Sequence, residues 1–491
     1  MSISPFIILA GLTYVCLFYG FSWRRPWLAL ALVFATSPLQ NDLSSGAAAK
    51  FSLTEINMML TLPLLLLHGR RWRMGPVGIP IFLYLFVCLV SSLLSPRATA
   101  FSSMLQMVLY LVVIVTVFGS LPRRPRDLMP ALYALTWVGI LLTFLALSQS
   151  YERFGLNKNG VGASLSVCII VCCELWFGAR ERRSKIALSL AFLLITIGLF
   201  STLSRGAWLG AIIGLFVVCA IRRQFLLLGR ALIFAVPLVI VAWTLLPQKS
   251  KSYATGFDAA KHENIRLRYE SLDIAQRDFD QNPILGIGVG LRKEYDATNV
   301  AMLTLAETGL LGLFTFALIH GTVLLSAWKM QKRLKRDDPL FPFVALGAAL
   351  IISRLAHGMV DHYWTRGAIT SAWAAVGMST YVHFALRRRT RAERRTRRAM
   401  IEMMQRREMA QRIRLDSRLD GRYPQMAAFD APTSGAPISG VQASSALLSG
   451  APSSTRLAAD ARIARNGAGN FGSIQPFPRP NPHSDSTGDT L

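Results

Sequence analysis

The chain consists largely of apolar blocks that are long enough to cross a lipid bilayer, separated by short clusters of Arg and Lys. A helix that spans the hydrocarbon core of a bilayer needs about 20 predominantly apolar residues. Hydrophobic residues make up 52% of the chain and charged residues only 16%, which excludes general disorder and argues against a soluble globular enzyme. The sequence therefore predicts an all-α polytopic membrane protein.

The apolar blocks predict about 12–13 membrane-spanning helices, of which the second is the shortest. The predicted spans cover residues 5–21, 27–39, 52–67, 76–94, 102–119, 128–147, 161–177, 186–200, 207–221, 231–246, 300–327, 341–355 and 368–386. Together they form a predicted transmembrane domain of residues 1–386.

The basic clusters predict the orientation of these helices. They lie at residues 24–25, 70–73, 123–126, 180–185, 222–223 and 329–336. Every second connection is basic, and cytoplasmic loops of membrane proteins collect Arg and Lys, so we expect these clusters and the C-terminal tail in the cytoplasm. This topology accounts for the formal net charge of +26 without a nucleic acid partner.

Two regions lie outside the alternation. Residues 247–298 form a long loop on the predicted external face, and apolar side chains at helical spacing in residues 264–281 predict an amphipathic helix there. The Arg-rich residues 387–425 predict a juxtamembrane segment on anionic lipid, and residues 426–491 predict a disordered tail. RNA binding by the basic segment is disfavoured because aromatic residues are not interleaved with its arginines.

All six cysteines lie inside apolar blocks. Cys168 and Cys172 are one helical turn apart, but no His or carboxylate at ligand spacing accompanies them. We therefore interpret the cysteines as packing residues and expect neither a disulfide framework nor a metal site.

Arginines on the external face are informative because the positive-inside tendency does not account for them. Arg205 lies in Ser204-Arg205-Gly206 between two spans, where it either extends to the interface or binds a ligand. In the amphipathic segment, Arg268 falls within the apolar stripe and needs a partner, whereas Arg266 projects from the polar face. These positions predict ligand binding by Arg205 and Arg268, with Arg266 as a weaker candidate.

Three ionisable residues at other predicted external helix ends each have two interpretations. His357 and Asp361 either exchange protons or bind a metal, or they are incidental polar residues in an interfacial belt of Tyr and Trp. Glu307 lies near membrane depth, where it either packs between helices or belongs to a site.

Further polar residues are candidate substrate contacts. Asn157 and Asn159 either contact a sugar or belong to an ordinary polar turn. Arg292 is either a solvated loop charge or a ligand contact, and Asn299 precedes the next span. The glycine-rich segment 283–290 does not follow a Rossmann strand, so we exclude dinucleotide binding.

The order and location of these motifs resemble those of the O-antigen ligase/polymerase superfamily of bacterial membrane proteins. The resemblance rests on Ser204-Arg205-Gly206 between two helices and on Arg266 and Arg268 in one large external loop. It continues through Asn-Pro-Ile-Leu-Gly-Ile-Gly at residues 282–288 and Ala-Glu-Thr-Gly-Leu-Leu-Gly at residues 306–312.

The resemblance implies a glycosyltransferase of the bacterial inner membrane that needs neither a metal nor another cofactor. Such an enzyme moves a glycan from an undecaprenyl-diphosphate carrier to an acceptor hydroxyl on the periplasmic face. Arg205 and Arg268, with Arg266, would hold the diphosphate. The expected partners are the carrier-linked oligosaccharide and membrane lipid, and a chain-length regulator or the export machinery is a further candidate.

One position departs from the family pattern. Ligases of the family share a His-Asn pair where this chain has Thr298-Asn299, and Thr cannot accept a proton at neutral pH. Either His357, Asp361 or Glu307 acts as the base, or little base assistance is required. We therefore favour a polymerase of lipid-linked repeat units, making exopolysaccharide or O-antigen, over a ligase that attaches finished glycan to a lipid or protein. A lipid-linked sugar transporter or flippase is the alternative of another class, and it predicts charges distributed through helix interiors.

Overall fold

The computed structural model describes residues 5–39, 51–148, 156–226, 259–295, 297–364 and 367–419, together with isolated positions between 150 and 251. It divides into residues 1–406 and 407–491, and in the second unit the described residues 407–419 are helical. The predicted span 231–246 and the predicted tail 426–491 lie outside the described residues, apart from isolated positions of the span.

The described chain is built from α-helices. In chain order the helices are α1 (Pro5–Ser22), α2 (Trp27–Thr36), α3 (Leu53–Leu67), α4 (Gly78–Leu94), α5 (Ala100–Val108), α6 (Ile114–Ser120), α7 (Met129–Leu147), α8 (Lys158–Gly178), α9 (Arg182–Ser201), α10 (Arg205–Arg222), α11 (Ala259–Gln281), α12 (Val300–Gln331), α13 (Phe341–Gly358) and α14 (Ala368–Leu419). A π-helical turn, Leu109–Val113, joins α5 to α6.

Eight helices in the described part of the chain are long and apolar enough to cross a membrane. They are Gly75–Leu94, Ala100–Ser120, Pro125–Leu147, Lys158–Gly178, Arg182–Ser201, Arg205–Arg222, Val300–Gln331 and Phe341–Gly358. Three shorter apolar helices lie nearer the N-terminus, and α14 is not among the eight. These helices confirm the prediction of an all-α polytopic membrane protein, whereas the total of about 13 spans and their sidedness stay predictions.

A stripe of small residues lets α10 pack closely against its neighbours. A Cβ atom added to Gly210 would lie 3.2 Å from the carbonyl oxygen of Ser353 in α13, and one added to Gly214 would lie 2.2 Å from Ile170 Cδ1 in α8. Small residues at such spacing are the usual means by which membrane helices approach each other. The close packing fixes the start of α10 relative to the end of α13.

At its other end, α10 is tied to α8 by a buried ion pair. Arg222 donates to the carboxylate of Glu174, which is fully buried, and to the carbonyl oxygen of Arg336 at 2.6 Å. A buried guanidinium requires a partner of opposite charge and acceptors for its remaining donors. The pair and the carbonyl supply both, so the ends of α8 and α10 are held to the connection before α13.

Helix α12 is broken at Gly309, where the backbone adopts φ 63° and ψ −163°. The N–H groups of Leu310 and Leu311 donate to the carbonyl oxygens of Pro283 (2.8 Å) and Ile284 (3.3 Å) in the glycine-rich segment. Polar backbone groups within a membrane span must be paired inside the protein, because lipid offers them no partner. The glycine-rich segment therefore completes the hydrogen bonding of the broken helix.

The exchange of hydrogen bonds is reciprocal. Ile287 and Gly288 donate to the carbonyl oxygens of Ala306 and Glu307 at 2.9 and 3.1 Å. A Cβ atom added to Gly286 would lie 2.4 Å from the carbonyl carbon of Glu307, so the two backbones are in direct contact. We call this contact between residues 282–290 and 306–311 the glycine interlock. The two segments that carry the family resemblance thus form one structural unit.

Candidate active site

The connection between α9 and α10 presents Arg205 from a tightly built turn. Leu203 adopts a left-handed conformation with φ 53°, and Arg205 is the first residue of α10. Trp208 donates from Nε1 to the carbonyl oxygen of Leu199 at 3.0 Å and stacks on Phe200 at 4.7 Å between ring centroids. Arg205 is exposed at the positive end of the α10 dipole, where an anion is favoured.

The start of α10 lies directly against the end of α13. A Cβ atom added to Gly206 would lie 2.8 Å from His357 Cδ2 and 3.2 Å from Val360 Cγ2. Arg268 of α11 donates from Nη1 to the carbonyl oxygen of Val360 at 2.9 Å. The structure thus brings Arg268 and the turn that carries Arg205 to the same residue, Val360.

Asn299 reaches the same place from α12. Its Oδ1 accepts from the backbone N–H groups of Ala301 (2.9 Å) and Met302 (3.2 Å), and its Nδ2 donates to the carbonyl oxygen of Met359 at 3.3 Å. Asn299 is therefore an N-cap that ties the start of α12 to the end of α13. Thr298, which occupies the position of the family His, adjoins this contact.

The N-terminus of α8 packs on the other side of the α9–α10 turn. Asn157 is the N-cap of α8 and accepts from the N–H of Gly160 at 2.5 Å, while Asn159 is the second residue of the helix. A Cβ atom added to Gly162 would lie 3.0 Å from Ser204 Cβ. Asn157 and Asn159 thus lie on the helix end next to Arg205, and the capping bond supports the polar-turn interpretation of Asn157.

A buried arginine organises the segment between α13 and α14. Arg354 donates to the carbonyl oxygens of His362 and Tyr363, and its Nη1 lies 2.9 Å from His357 Nδ1. An imidazole nitrogen that accepts from a guanidinium is unprotonated, so a neutral His357 carries its proton on Nε2. That Nε2 lies 3.6 Å from Asp361 Oδ2 and has no hydrogen-bond partner among the described atoms.

Asp361 is a buried carboxylate that stays ionised. Burial acts to raise the pKa of its carboxyl, but the facing imidazole of His357, followed by His362, outweighs that effect and lowers the pKa to about 2. The backbone N–H of His362 also donates to Asp361 Oδ1 at 2.8 Å. At neutral pH the corner therefore holds a negative carboxylate beside a polar imidazole nitrogen, close to the turn of Arg205.

The amphipathic helix predicted over 264–281 is present as α11, Ala259–Gln281. Ala275 is fully buried and Leu272 half-buried, as the apolar stripe predicts. Ile265 and Tyr269 are exposed, so the N-terminal part of the stripe does not pack on the bundle. Arg266 is exposed on this helix, whereas the half-buried Arg268 has the Val360 contact.

Glu307 lies in the glycine interlock. Its side chain is buried and its Oε1 accepts from the backbone N–H of Gly290 at 2.8 Å, while its carbonyl oxygen accepts from Ser91 Oγ at 2.7 Å. This geometry supports the interpretation of Glu307 as a residue that packs and pairs between helices. Its proposed function as a base has no support from these contacts.

Arg292 also has a structural contact. Its Nη2 donates to the carbonyl oxygen of Ser103 at 3.2 Å and to Gln106 Oε1 at 3.0 Å, and its guanidinium lies 5.7 Å from the centroid of the Trp364 ring. The interpretation of Arg292 as a solvated loop charge is therefore wrong, because it ties the loop after the interlock to α5.

Among the described residues, no group of three His, Cys, Asp or Glu side chains is arranged to hold a metal ion. Residues 190–317 match the family model described as O-antigen ligase. This segment of the chain is therefore similar to the O-antigen ligase family, which supports the resemblance to the O-antigen ligase/polymerase superfamily. No curated protein was found to match it.

The O-antigen ligase match begins in α9 and ends in α12, so it contains Arg205, Arg266, Arg268 and both halves of the glycine interlock. The match indicates a function of the O-antigen ligase/polymerase type in a multi-pass membrane protein. His357 and Asp361 lie beyond the matched segment, and the structure adds them to it through Gly206 and Val360.

The interpretation of the sequence missed Arg354. A signal for it exists, since it is an Arg inside the predicted span 341–355, and an ionisable residue at membrane depth is a candidate functional residue. Its contact with His357 joins it to the candidate active site.

Proposed function

We propose that the protein is a glycosyltransferase of the bacterial inner membrane that joins undecaprenyl-diphosphate-linked oligosaccharide repeat units into exopolysaccharide or O-antigen. The observation that carries this proposal is the convergence of Arg268 and the Arg205 turn on Val360. In the proposed topology this corner faces the periplasm, and the donor enters it from the outer leaflet.

The two guanidinium groups suit the charge that develops in this reaction. The acceptor hydroxyl oxygen bonds to the anomeric carbon of the donor, the bond from that carbon to the diphosphate oxygen breaks, and the diphosphate departs with the electron pair. Negative charge grows on the leaving group, and Arg binds phosphate oxygens through bidentate, charge-assisted hydrogen bonds. Arg205 has the further help of the α10 dipole.

The proton of the acceptor hydroxyl needs a base other than Thr298. Asp361 is ionised at neutral pH, since its pKa is lowered to about 2, and it lies beside His357. We assign the carboxylate of Asp361 as the proton acceptor, with the adjacent imidazole of His357 as the group that positions it. A carboxylate of such low pKa is a weak base, so in this proposal most of the acceleration comes from the arginines.

The second candidate is an O-antigen ligase, which the description of the matched family favours. Thr298 favours the polymerase, because a ligase of the family pattern would carry His there. Deletion of the gene separates the two: single repeat units accumulate on the carrier if a polymerase is lost, and long chains accumulate if a ligase is lost.

The test uses the purified full-length protein in liposomes with a defined carrier-linked donor and no energy source. Arg205→Ala and Arg268→Ala should each lower the rate of chain extension by about 100-fold or more, the usual effect of removing a donor to a developing anion. The exposed Arg183 and Arg277, on α9 and α11, provide matched alanine controls that should retain activity.

Normal extension by both variants would contradict the diphosphate site. The wild-type protein could instead fail to extend chains and transfer preformed polymer to an added acceptor. That result would favour the ligase over the polymerase. Measuring the amount of each variant in the membrane separates a loss of activity from a loss of protein.

A further inference from the structure

A second polar cavity lies at the C-terminal end of α12, away from Asn299. Its volume is about 380 Å³, and it lies between α12, α14 and the residues just before α4. Lys329, Arg333, His383 and Arg387 line it, and no carboxylate is among its lining residues in the described chain. The cavity therefore offers three full positive charges and an imidazole without an acidic counterpart.

The residues that line the cavity change along α12 from uncharged to cationic. On α12, Thr322 and Leu325 lie about one to three turns before Lys329 and Arg333 and also line the cavity. Leu325 is 58% exposed on the outer surface of the bundle. The apolar side chain of Leu325 is thus followed along α12 by the cationic side chains of Lys329 and Arg333. The acyl chain and the phosphate of a lipid follow each other in the same order in a membrane leaflet.

The surroundings of the cavity carry an excess of positive charge. Burial, followed by the like charges of Arg123 and Arg388, lowers the pKa of Arg70 from its usual value. Arg70 Nε is buried and has no hydrogen-bond partner among the described atoms, and Arg73 lies 5.3 Å from the centroid of the Phe384 ring. Crowded cations in a region of low dielectric constant favour the binding of an anion.

The nearby carboxylates do not neutralise this charge at the cavity. Asp127 accepts from the backbone N–H groups of Arg123 and Arg124 at 2.7 and 3.0 Å. Asp338 pairs with Arg389 at 2.6 Å. Both acids already have their partners outside the cavity lining.

We propose that this cavity binds an anionic phospholipid, with the headgroup phosphate between Lys329, Arg333 and Arg387 and one acyl chain along Leu325. Basic pockets between membrane helices on the cytoplasmic side recognise anionic headgroups in this way. Under the predicted topology the lipid belongs to the cytoplasmic leaflet. The site is separate from the proposed diphosphate site and does not depend on it.

The test measures lipid retained by the full-length protein, with native mass spectrometry, after exchange into nanodiscs of phosphatidylcholine containing a minor fraction of phosphatidylglycerol. The triple variant Lys329→Gln, Arg333→Gln, Arg387→Gln should lose phosphatidylglycerol binding by about 10-fold or more, as expected for the removal of charge-assisted contacts. A charge-matched control is Arg180→Gln, Arg182→Gln, Arg183→Gln, which changes exposed residues at the start of α9, outside both the cavity and residues 387–425, and should keep the lipid.

A second variant guards against a loss of folding. Arg333→Lys with Arg387→Lys keeps the charge and should retain most of the phosphatidylglycerol, whereas a folding defect would show in a changed elution volume. Equal lipid binding by the two glutamine triples would overturn the proposal. In nanodiscs of phosphatidylcholine, inorganic phosphate should stabilise the protein less than phosphatidylglycerol does. Equal stabilisation by the two would overturn the proposal and indicate a site for a free anion.

Discussion

Replacing Gly309 by alanine tests whether the glycine interlock holds α12 in its broken form. The added Cβ would lie 2.3 Å from the carbonyl carbon and oxygen of Ile284 and 2.6 Å from Leu285 N. All three atoms belong to the backbone, so they cannot rotate away. The φ of 63° and ψ of −163° at this position are also accessible essentially to glycine alone.

The cost has two parts. A residue forced into such a backbone conformation loses about 1–3 kcal/mol. Moving residues 283–288 away from the methyl group would open up to four backbone hydrogen bonds, each contributing about 1 kcal/mol net. We therefore expect Gly309→Ala to lower the free energy of unfolding by about 1–7 kcal/mol, depending on how many of the bonds open.

The same helix provides the control. Gly321 lies in α12, and a Cβ atom added there would meet no atom within 4 Å apart from its chain neighbours and the backbone of its own helix. Gly321→Ala should therefore be neutral or stabilise the helix by up to about 1 kcal/mol. Both variants are unfolded in mixed micelles with increasing sodium dodecyl sulfate and followed by tryptophan fluorescence. Indistinguishable unfolding curves for the two alanine variants would refute the interlock.

Two further substitutions separate structural from chemical functions. Glu307→Gln keeps an acceptor for Gly290 N–H and should retain most activity. Glu307→Ala removes that acceptor and should lower both stability and activity. A loss of activity in the Gln variant with unchanged stability would instead identify Glu307 as the base. Arg354→Lys keeps the charge but cannot serve His357, His362 and Tyr363 together, so the rate of chain extension should fall at least 10-fold, about 1.4 kcal/mol, with normal membrane levels. Wild-type rates in that variant would show that the Arg354–His357 contact does not position the site.

The helical architecture was predictable because the bilayer imposes it. A span requires a long apolar run, and eight such helices lie within the predicted spans or closely overlap them. At the shortest predicted span, 27–39, the structure has the apolar helix Trp27–Thr36, which is too short to be among the eight, so the span there stays a prediction.

The glycine interlock was not predictable from either segment alone. In the sequence, Gly286 belongs to the glycine-rich segment and Gly309 to the motif at residues 306–312, and no local pattern pairs them. The reason for each glycine is the backbone of the other segment. For Arg292 and Glu307 the sequence left two interpretations open each, a solvated charge or a ligand contact, and a packing residue or part of a site. Their partners, Gln106 and Gly290, are defined by this packing and by no local pattern.

The convergence of the candidate site was only partly predictable. Arg205 and Arg268 were recognisable because each breaks the charge pattern of its surroundings. Their common neighbour, Val360, has no distinguishing chemistry and contributes a carbonyl oxygen and a methyl group. The apolar stripe predicted more buried positions on α11 than the structure has. Tyr269 is 66% exposed, although its spacing places it on the same face as Leu272.

The glycine interlock also bears on the order of assembly during synthesis. Pro283 and Ile284 precede Leu310 and Leu311 in the chain, so the acceptors leave the ribosome before the donors that need them. Because the second half of α12 begins with these donors, its entry into lipid is complete only once the earlier segment has docked. Insertion of α12 therefore depends on residues 282–290 as well as on α12 itself. In a chain cut between them, the two fragments would have to associate before α12 could insert fully.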